Sequence, residues 1–316
     1  MLPPKTILQS RYEIVRSIGQ GGVGAVYEAQ DIRLRNPVAL KHLTLQGIQA
    51  SKAFEQEAQL LSKLRHSALP RVIDHFTDAQ GQFLVMDYID GDDLGVQLQR
   101  GKAFSVNDVL RWSDKLLQAL EYLHHQTPAI LHRDIKPSNI KVTANDDVML
   151  LDFGLAKGTI ATQQLLTSSS IRGYTPLYAP LEQIQGSGTD ERSDLFALAA
   201  TMYHLMTGKP AADALSRAAD VLQQQSDPLI EPRVLNQQIP HHVSQVLMQA
   251  LSLNRSLRPA SANAMRQALH NASHQPIHAA VGTTTILAPT AFVSNPQVSG
   301  ATIVLNRAQN PRNIAK

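Results

Sequence analysis

Apolar positions along the chain follow two regimes that change near residue 88. From about Tyr12 to Tyr88 they form short runs: Ile14-Val15, Val23 to Tyr27, Val38 to Leu43, Val72-Ile73 and Phe83 to Tyr88. Several are bounded by Gly, Asn or Asp, a pattern that predicts strands. Within this part, Ala53 to Arg65 places Phe54, Leu61 and Leu64 on one side and predicts an amphipathic helix. From Ser105 the period becomes helical. Ser105 stands three residues before Asp108, a capping-box-like start with Asp in place of Glu or Gln, and Val109, Leu116, Leu120 and Leu123 follow at helical steps. Further helices are predicted near Leu195 to Met206, Val243 to Leu251 and Ala262 to Leu269. The pattern therefore predicts an α+β chain, a small β-rich part followed by a larger helical part.

A third stretch, 271–316, differs in kind. Between Arg266 and Arg307 there is no Asp, Glu, Lys or Arg, while Thr, Ala, Ser, Pro and Asn abound, so it reads as a flexible Thr/Ala-rich tail. Its most apolar piece, Ile277 to Val293, contains His278, Gly282, three consecutive Thr and Pro289. That falls short of the roughly 20 predominantly apolar residues of a membrane span, and no span is expected.

Composition narrows the function classes. The 316 residues, 43% hydrophobic, can bury a sizeable core. Twenty-nine Lys and Arg against twenty-six Asp and Glu give +3, and no stretch concentrates basic residues, so a nucleic-acid partner is not expected. The absence of Cys excludes disulfides, thiolate catalysis and Cys-built zinc sites. Met1-Leu2-Pro3-Pro4-Lys5 lacks the apolar run of a signal peptide, and a cytoplasmic chain is expected.

Two motifs carry candidate chemistry. Gly19-Gln20-Gly21-Gly22-Val23-Gly24-Ala25-Val26 is a Gly-rich turn between strand-like runs. It fits a loop whose backbone N–H groups approach phosphate, or simply a Gly-rich hairpin. A dinucleotide fold would need a helix next, whereas a second strand-like run leads to Lys41 inside Val38-Ala39-Leu40-Lys41. A Lys in an apolar strand calls for an anion, either a nucleotide's phosphates or Glu57 sixteen residues on. The second motif joins His132-Arg133-Asp134-Ile135-Lys136-Pro137-Ser138-Asn139 to Val148-Met149-Leu150-Leu151-Asp152-Phe153-Gly154. Asp134 offers a carboxylate for a nucleophile, and Asn139 and Asp152 offer two oxygen ligands for a hard cation such as Mg²⁺. Singly, each also fits a turn former or a strand cap.

Taken in order, type and spacing, these motifs resemble the Hanks-type (eukaryotic-like) Ser/Thr protein kinases, bacterial branch, over roughly Tyr12 to Leu269. The resemblance implies a two-lobed kinase fold over 12–270, with an N-lobe at about 12–88 and a C-lobe at about 89–270, and ATP between the lobes. It places Gly19, Gly21, Gly22 and Gly24 over the phosphates, Lys41 in the grip of Glu57, and Val26 and Ala39 around adenine. Met86, Asp87 and Ile89 fall in the hinge that reads the adenine edge, and Asp93 at a ribose contact. Asp134 is implied as catalytic base, with Asn139 and Asp152 as ligands of Mg²⁺ or Mn²⁺.

Further matches and departures follow. In Thr175-Pro176-Leu177-Tyr178-Ala179-Pro180-Leu181-Glu182, Leu181 stands where the family has Pro, and Glu182 has Arg258 as its implied partner. Asp194 resembles the buried Asp that holds the catalytic loop, with Ala199 in place of a Gly shortly after it. Lys136, with Thr175 to reach it and the base, favours protein Ser or Thr substrates. A catalytically impaired pseudokinase scaffold and a small-metabolite kinase are the alternatives. Arg133 is of the type that meets a loop phosphate, for which Thr167, Ser168, Ser169 and Ser170 are candidate acceptors. In the tail, Thr283-Thr284-Thr285-Ile286-Leu287 and Thr302-Ile303-Val304-Leu305 resemble ligands of forkhead-associated, phosphothreonine-binding domains, or else β-prone or disordered segments. His124-His125 and His241-His242 lack metal-ligand spacing and are read as helix-end or surface residues, and Trp112 as packing.

Overall fold

The computed structural model describes residues 1–21, 24–43, 55–56, 58–152 and 177–271. They belong to one compact unit, Met1–Pro276; the second unit, Ile277–Lys316, lies outside them. A β-sheet lobe, the N-lobe, is followed by a helical C-lobe.

The sheet has six antiparallel strands in the order β1-β2-β3-β4-β6-β5, where β1 is Ile7–Leu8, β2 Tyr12–Gly21, β3 Gly24–Asp31, β4 Asn36–Leu43, β5 Val72–Asp78 and β6 Gly81–Asp87. The strands outrun the apolar runs in the sequence, because ladder hydrogen bonds continue through polar positions that face solvent. Side chains alternate between the two faces. Leu8, Tyr12, Tyr27, Val38, Leu40, Phe83 and Val85 form one small core, while Leu43 and Leu84 join Ala58, Leu61 and Leu64 in the core that continues into the helices. Helix α1 is described at 55–56 and 58–62.

Register decides what the second face carries. Lys41 is paired with Val26 on one side and Leu84 on the other, and Ala39 with Glu28 and Met86. Paired residues share a face, as do residues two apart, so Val26, Ala39, Lys41, Leu84 and Met86 lie on one side of the sheet.

The C-lobe contains α2 (Leu94–Gln99), α3 (Val106–His124), the ribbon β7 (Ile140–Val142) and β8 (Val148–Leu150), then α4 (Leu181–Gln185), α5 (Glu191–Thr207), α6 (Ala214–Leu222), α7 (Pro232–Leu235), α8 (His241–Ala250) and α9 (Ala262–His270). Ser105 caps α3 as its sequence predicts, accepting from the Asp108 N–H and donating to the Asp108 carboxylate. Asp190 and Ser193 form a capping box on α5, and Gly208 ends that helix in the left-handed region at φ 70°. Thirteen of the seventeen residues of α5 are buried, which makes it the centre of the lobe rather than a surface helix. Trp112 is buried edge-on to Phe104 and donates its indole N–H to Asp146. Among the described residues no helix is long and apolar enough to cross a membrane.

Candidate active site

The loop between α3 and β7 is held from below by a buried carboxylate. Asp194, in the first turn of α5, accepts from the backbone N–H groups of His132 at 2.9 Å and Arg133 at 2.8 Å. His124 Nε2 lies 3.0 Å from the same carboxylate. Burial opposes ionisation of Asp194, but hydrogen bonds from His124 and the Arg133 amide outweigh it and hold its pKa below the usual carboxylate range. His132 is itself fully buried, with Nε2 3.0 Å from the Leu151 carbonyl; burial pushes its pKa down against the pull of Asp194 and Asp134. Arg133 has φ 63°, a strained value for a long side chain, and its carbonyl accepts from Gln183 Nε2 at 2.8 Å. The chain is thereby fixed on the N-terminal side of Asp134.

His124 is a correction to the sequence reading. It does end α3, but its side chain is 5% exposed and pairs with Asp194 seventy residues on, so it is part of the loop's anchor rather than a surface residue.

Above the anchor, Asp134, Lys136 and Asn139 converge. Lys136 Nζ is 3.3 and 3.2 Å from the two carboxylate oxygens of Asp134. Asn139, buried in the 3₁₀ turn Pro137–Asn139, donates its amide nitrogen to the Asp134 carbonyl at 2.7 Å and carboxylate at 2.9 Å. That turns the amide oxygen to the other side. The Leu151 N–H donates to the Asn139 carbonyl at 2.8 Å, which ties this turn to the end of β8, where Asp152 follows with φ 55°. Asp152 Oδ1 is 3.3 Å from Lys41 Nζ, so the sheet's cation meets the carboxylate below it. Asp152 is the more exposed partner, 41% against 21%, and keeps carboxylate surface for a ligand. An amide oxygen and a half-exposed carboxylate are hard oxygen donors, and they fit Mg²⁺ or Mn²⁺.

Lys41, Leu84, Met86 and Asp152 line one pocket together with Leu61, Leu64, Pro70 and Val72. At its rim the chain passes from β6 to α2. Asp87 turns its carboxylate out to Arg71, with Nε at 2.9 Å and Nη2 at 3.2 Å. The Ile89 carbonyl accepts from Lys141 Nζ at 2.8 Å, a contact not foreseen from the motifs. Asp93 caps α2 by accepting from the Val96 N–H at 2.8 Å, so its carboxylate already has a structural partner beside any ribose.

Gly19, Gly21 and Gly24 lie at the ends of β2 and β3, with Gly21 paired to Gly24. A Cβ on Gly24 would stand 2.0 Å from the His42 carbonyl oxygen, so close strand packing requires this glycine; at Gly19 a Cβ would make ordinary contact with Val26. Gly22, Glu57, Thr167, Ser168, Ser169, Ser170, Thr175 and residues 272–316 of the tail lie outside the described residues.

The end of the segment after the loop is anchored as the sequence implies. Arg258 donates to both carboxylate oxygens of Glu182, at 2.7 and 3.1 Å, and Ser193 Oγ donates at 2.7 Å. Burial raises the Glu182 pKa, and the bonds from Arg258 and Ser193 overcome this and lower it.

Comparison with known proteins agrees with this geometry. The family model described as the protein kinase domain matches residues 12–271. A probable serine/threonine-protein kinase of Clostridium acetobutylicum is 29% identical over 84% of this chain and 40% of its own length. The serine/threonine-protein kinase pkn3 of Myxococcus xanthus is 34% identical over 82% of this chain and 49% of its own length. The chain thus spans less than half the length of these relatives. Among solved structures, the Mycobacterium tuberculosis PknI kinase domain is similar with a TM-score of 0.66 and 25% identity, covering 86% of this chain and all of that one.

Proposed function

The chain belongs to the protein kinase family of the Hanks type, and on that premise we propose that it transfers the γ-phosphoryl group of ATP to Ser or Thr hydroxyls of proteins. The observation that carries this reading is the convergence of Lys136 and Asn139 on the Asp134 carboxylate, at 3.3 and 2.9 Å, in a turn that the Leu151–Asn139 bond ties to Asp152 and its partner Lys41.

In this reading the glycines Gly19, Gly21, Gly22 and Gly24 and Lys41 fix the phosphates, and Glu57 steadies Lys41. Val26, Ala39 and Met86 share the sheet face that would enclose the base. Asn139 and Asp152 would hold Mg²⁺ or Mn²⁺, which supplies charge compensation for the transferred group. Asp134 orients the substrate hydroxyl and takes its proton. Asn139 and Lys136 hold the carboxylate in place for that task, and Lys136 is placed to offset charge on the moving phosphoryl group. Little covalent work falls to the protein; the rate comes from positioning and electrostatics.

We take 12–270 as the catalytic domain and 271–316 as a regulatory tail. Phosphorylation of Thr283 to Thr285 or Thr302 would add nearly two negative charges to a stretch that has none, creating a docking site for a forkhead-associated protein. The cytoplasm, which supplies ATP and protein hydroxyls together, is its proposed location.

The test is incubation of the purified protein with γ-labelled ATP, Mg²⁺ and a generic protein substrate, followed by phosphoamino-acid analysis. Label on phosphoserine or phosphothreonine is expected. No labelled protein, as a pseudokinase would give, overturns the proposal.

A further inference from the structure

A cavity of about 400 Å³ opens over the second half of α3, bounded by the segment that carries His66 and by α9. It shares no lining residue with the pocket around Lys41 and Asp152, and the proposed chemistry makes no use of it. Leu117 and the Tyr122 ring supply apolar surface, and Tyr122 stacks on His66 with 5.6 Å between ring centroids. The polar atoms of the lining give the cavity its preference.

Hydrogen bonds within the protein decide which of those atoms are left over. Gln118 gives its amide nitrogen to Asp114 at 2.7 Å and Gln126 its own to the Tyr122 carbonyl at 2.8 Å, so each keeps its carbonyl oxygen. Glu121 Oε2 accepts from the Asn263 N–H at 2.7 Å, which leaves Oε1. His125 donates from Nδ1 to the Glu121 carbonyl at 2.8 Å and stays 3.6 Å from its carboxylate. The neighbouring cations are engaged elsewhere. Arg266 lies on Asp114 through Nε at 2.6 Å and Nη2 at 3.3 Å, and Arg65 turns Nη1 to the Ser62 and Leu64 carbonyls. His66 Nδ1 accepts from the Ala68 N–H at 3.1 Å, and burial pushes its pKa down, so the ring is neutral. The Tyr122 hydroxyl and His66 Nε2–H are neutral donors. Glu121 thus contributes a negative charge without a close ion-pair partner among the described residues, beside two neutral acceptors and an aromatic face.

We propose that this cavity binds a small alkylammonium ion of the short-chain diamine class. One ammonium donates to Glu121 Oε1 and Gln118 Oε1, which stand three residues apart on one face of α3. The hydrocarbon chain lies on Leu117 and the Tyr122 ring, and the second ammonium reaches Gln126 Oε1 beyond the end of the helix. A carboxylate or phosphate is disfavoured by the same lining, because it would face Glu121 while Arg266 is held by Asp114.

The site is independent of the kinase reading and is tested without nucleotide, by calorimetric titration of the full chain with diaminobutane near neutral pH. One saturable site is expected, with a Kd of about 1 mM or tighter. Glu121→Gln keeps an acceptor for the Asn263 N–H and should weaken binding about tenfold, the worth of one hydrogen bond to a charged group. Gln118→Leu removes a neutral acceptor and should weaken it about threefold. Trp112 emission shows whether each variant is folded, and either variant alone decides the matter. Butanediol, with the same chain and no charge, should not bind. Lack of saturable binding by wild type up to about 10 mM, or an affinity unchanged in the folded variants because the cation is held elsewhere on the surface, overturns the proposal. So does tighter binding of butanedioate than of the diamine.

Discussion

Arg258 lays two guanidinium nitrogens on the two carboxylate oxygens of Glu182, across 76 residues of chain. The Arg258 side chain is fully buried and that of Glu182 nearly so, and the guanidinium also covers the Phe196 ring at 4.8 Å. The pair joins the first turn of α4 to the turn before α9, a link that no local sequence preference could supply.

Removing one partner strands a buried charge, which typically costs about 3–5 kcal/mol. Arg258→Ala is expected to lower Tm by several degrees, at about 2–4 °C per kcal/mol for a domain of this size. The single Trp, Trp112, is buried against Phe104, so its fluorescence reports the unfolding directly. A shift below about 1 °C would mean that the pair is incidental to stability.

Stability should fall in acid. Asp194 and Glu182 both have folded-state pKa values held below the usual carboxylate range: burial opposes this at each, and hydrogen bonds prevail. A depressed folded pKa contributes stability that is complete above the unfolded value, about 4, and is lost as pH falls through the folded one. Wild-type Tm should therefore be insensitive to these groups near pH 7 and drop steeply below pH 4. Asp194→Asn should show a lower Tm at neutral pH and a shallower acid limb. An identical acid slope in the two proteins would contradict the assignment of the loop anchor.

Arg133 projects from a backbone fixed by Asp194 and Gln183, and its Nε donates to the Thr189 hydroxyl at 3.0 Å. A guanidinium on so rigid a mount is suited to a phosphate from Thr167 to Ser170. Replacing all four residues with Ala is expected to lower peptide phosphorylation by about tenfold, the worth of one charge-assisted hydrogen bond. Full activity of the quadruple variant, beside a wild type proven to carry phosphate there, would exclude this control.

The order of strands and helices was legible because strand and helix periods differ and each part of the chain keeps to one of them. Asp134, Lys136 and Asn139 were legible as neighbours, since they lie within five residues. The short helices α2, α4 and α7 were not, because four to six residues cannot display a helical period. Nor was the role of His124, whose partner Asp194 lies in another helix, or the Lys141–Ile89 bond, made by a side chain that sequence pattern alone would send to solvent. Gly24 was read as a phosphate-loop residue, and the sheet supplies a second reason for it in the His42 carbonyl.

The central claim is that Asp134 serves a hydroxyl beside a metal held by Asn139 and Asp152. It is tested most directly by the initial rate of phosphate transfer from Mg·ATP to a Ser/Thr peptide for wild type, Asp134→Asn and Asp152→Asn, each shown to be folded by its Trp112 emission. The account predicts measurable wild-type turnover, a fall of about 10²–10⁴-fold for Asp134→Asn, and near-complete loss of metal-supported turnover for Asp152→Asn. Turnover by either variant at the wild-type rate would contradict it.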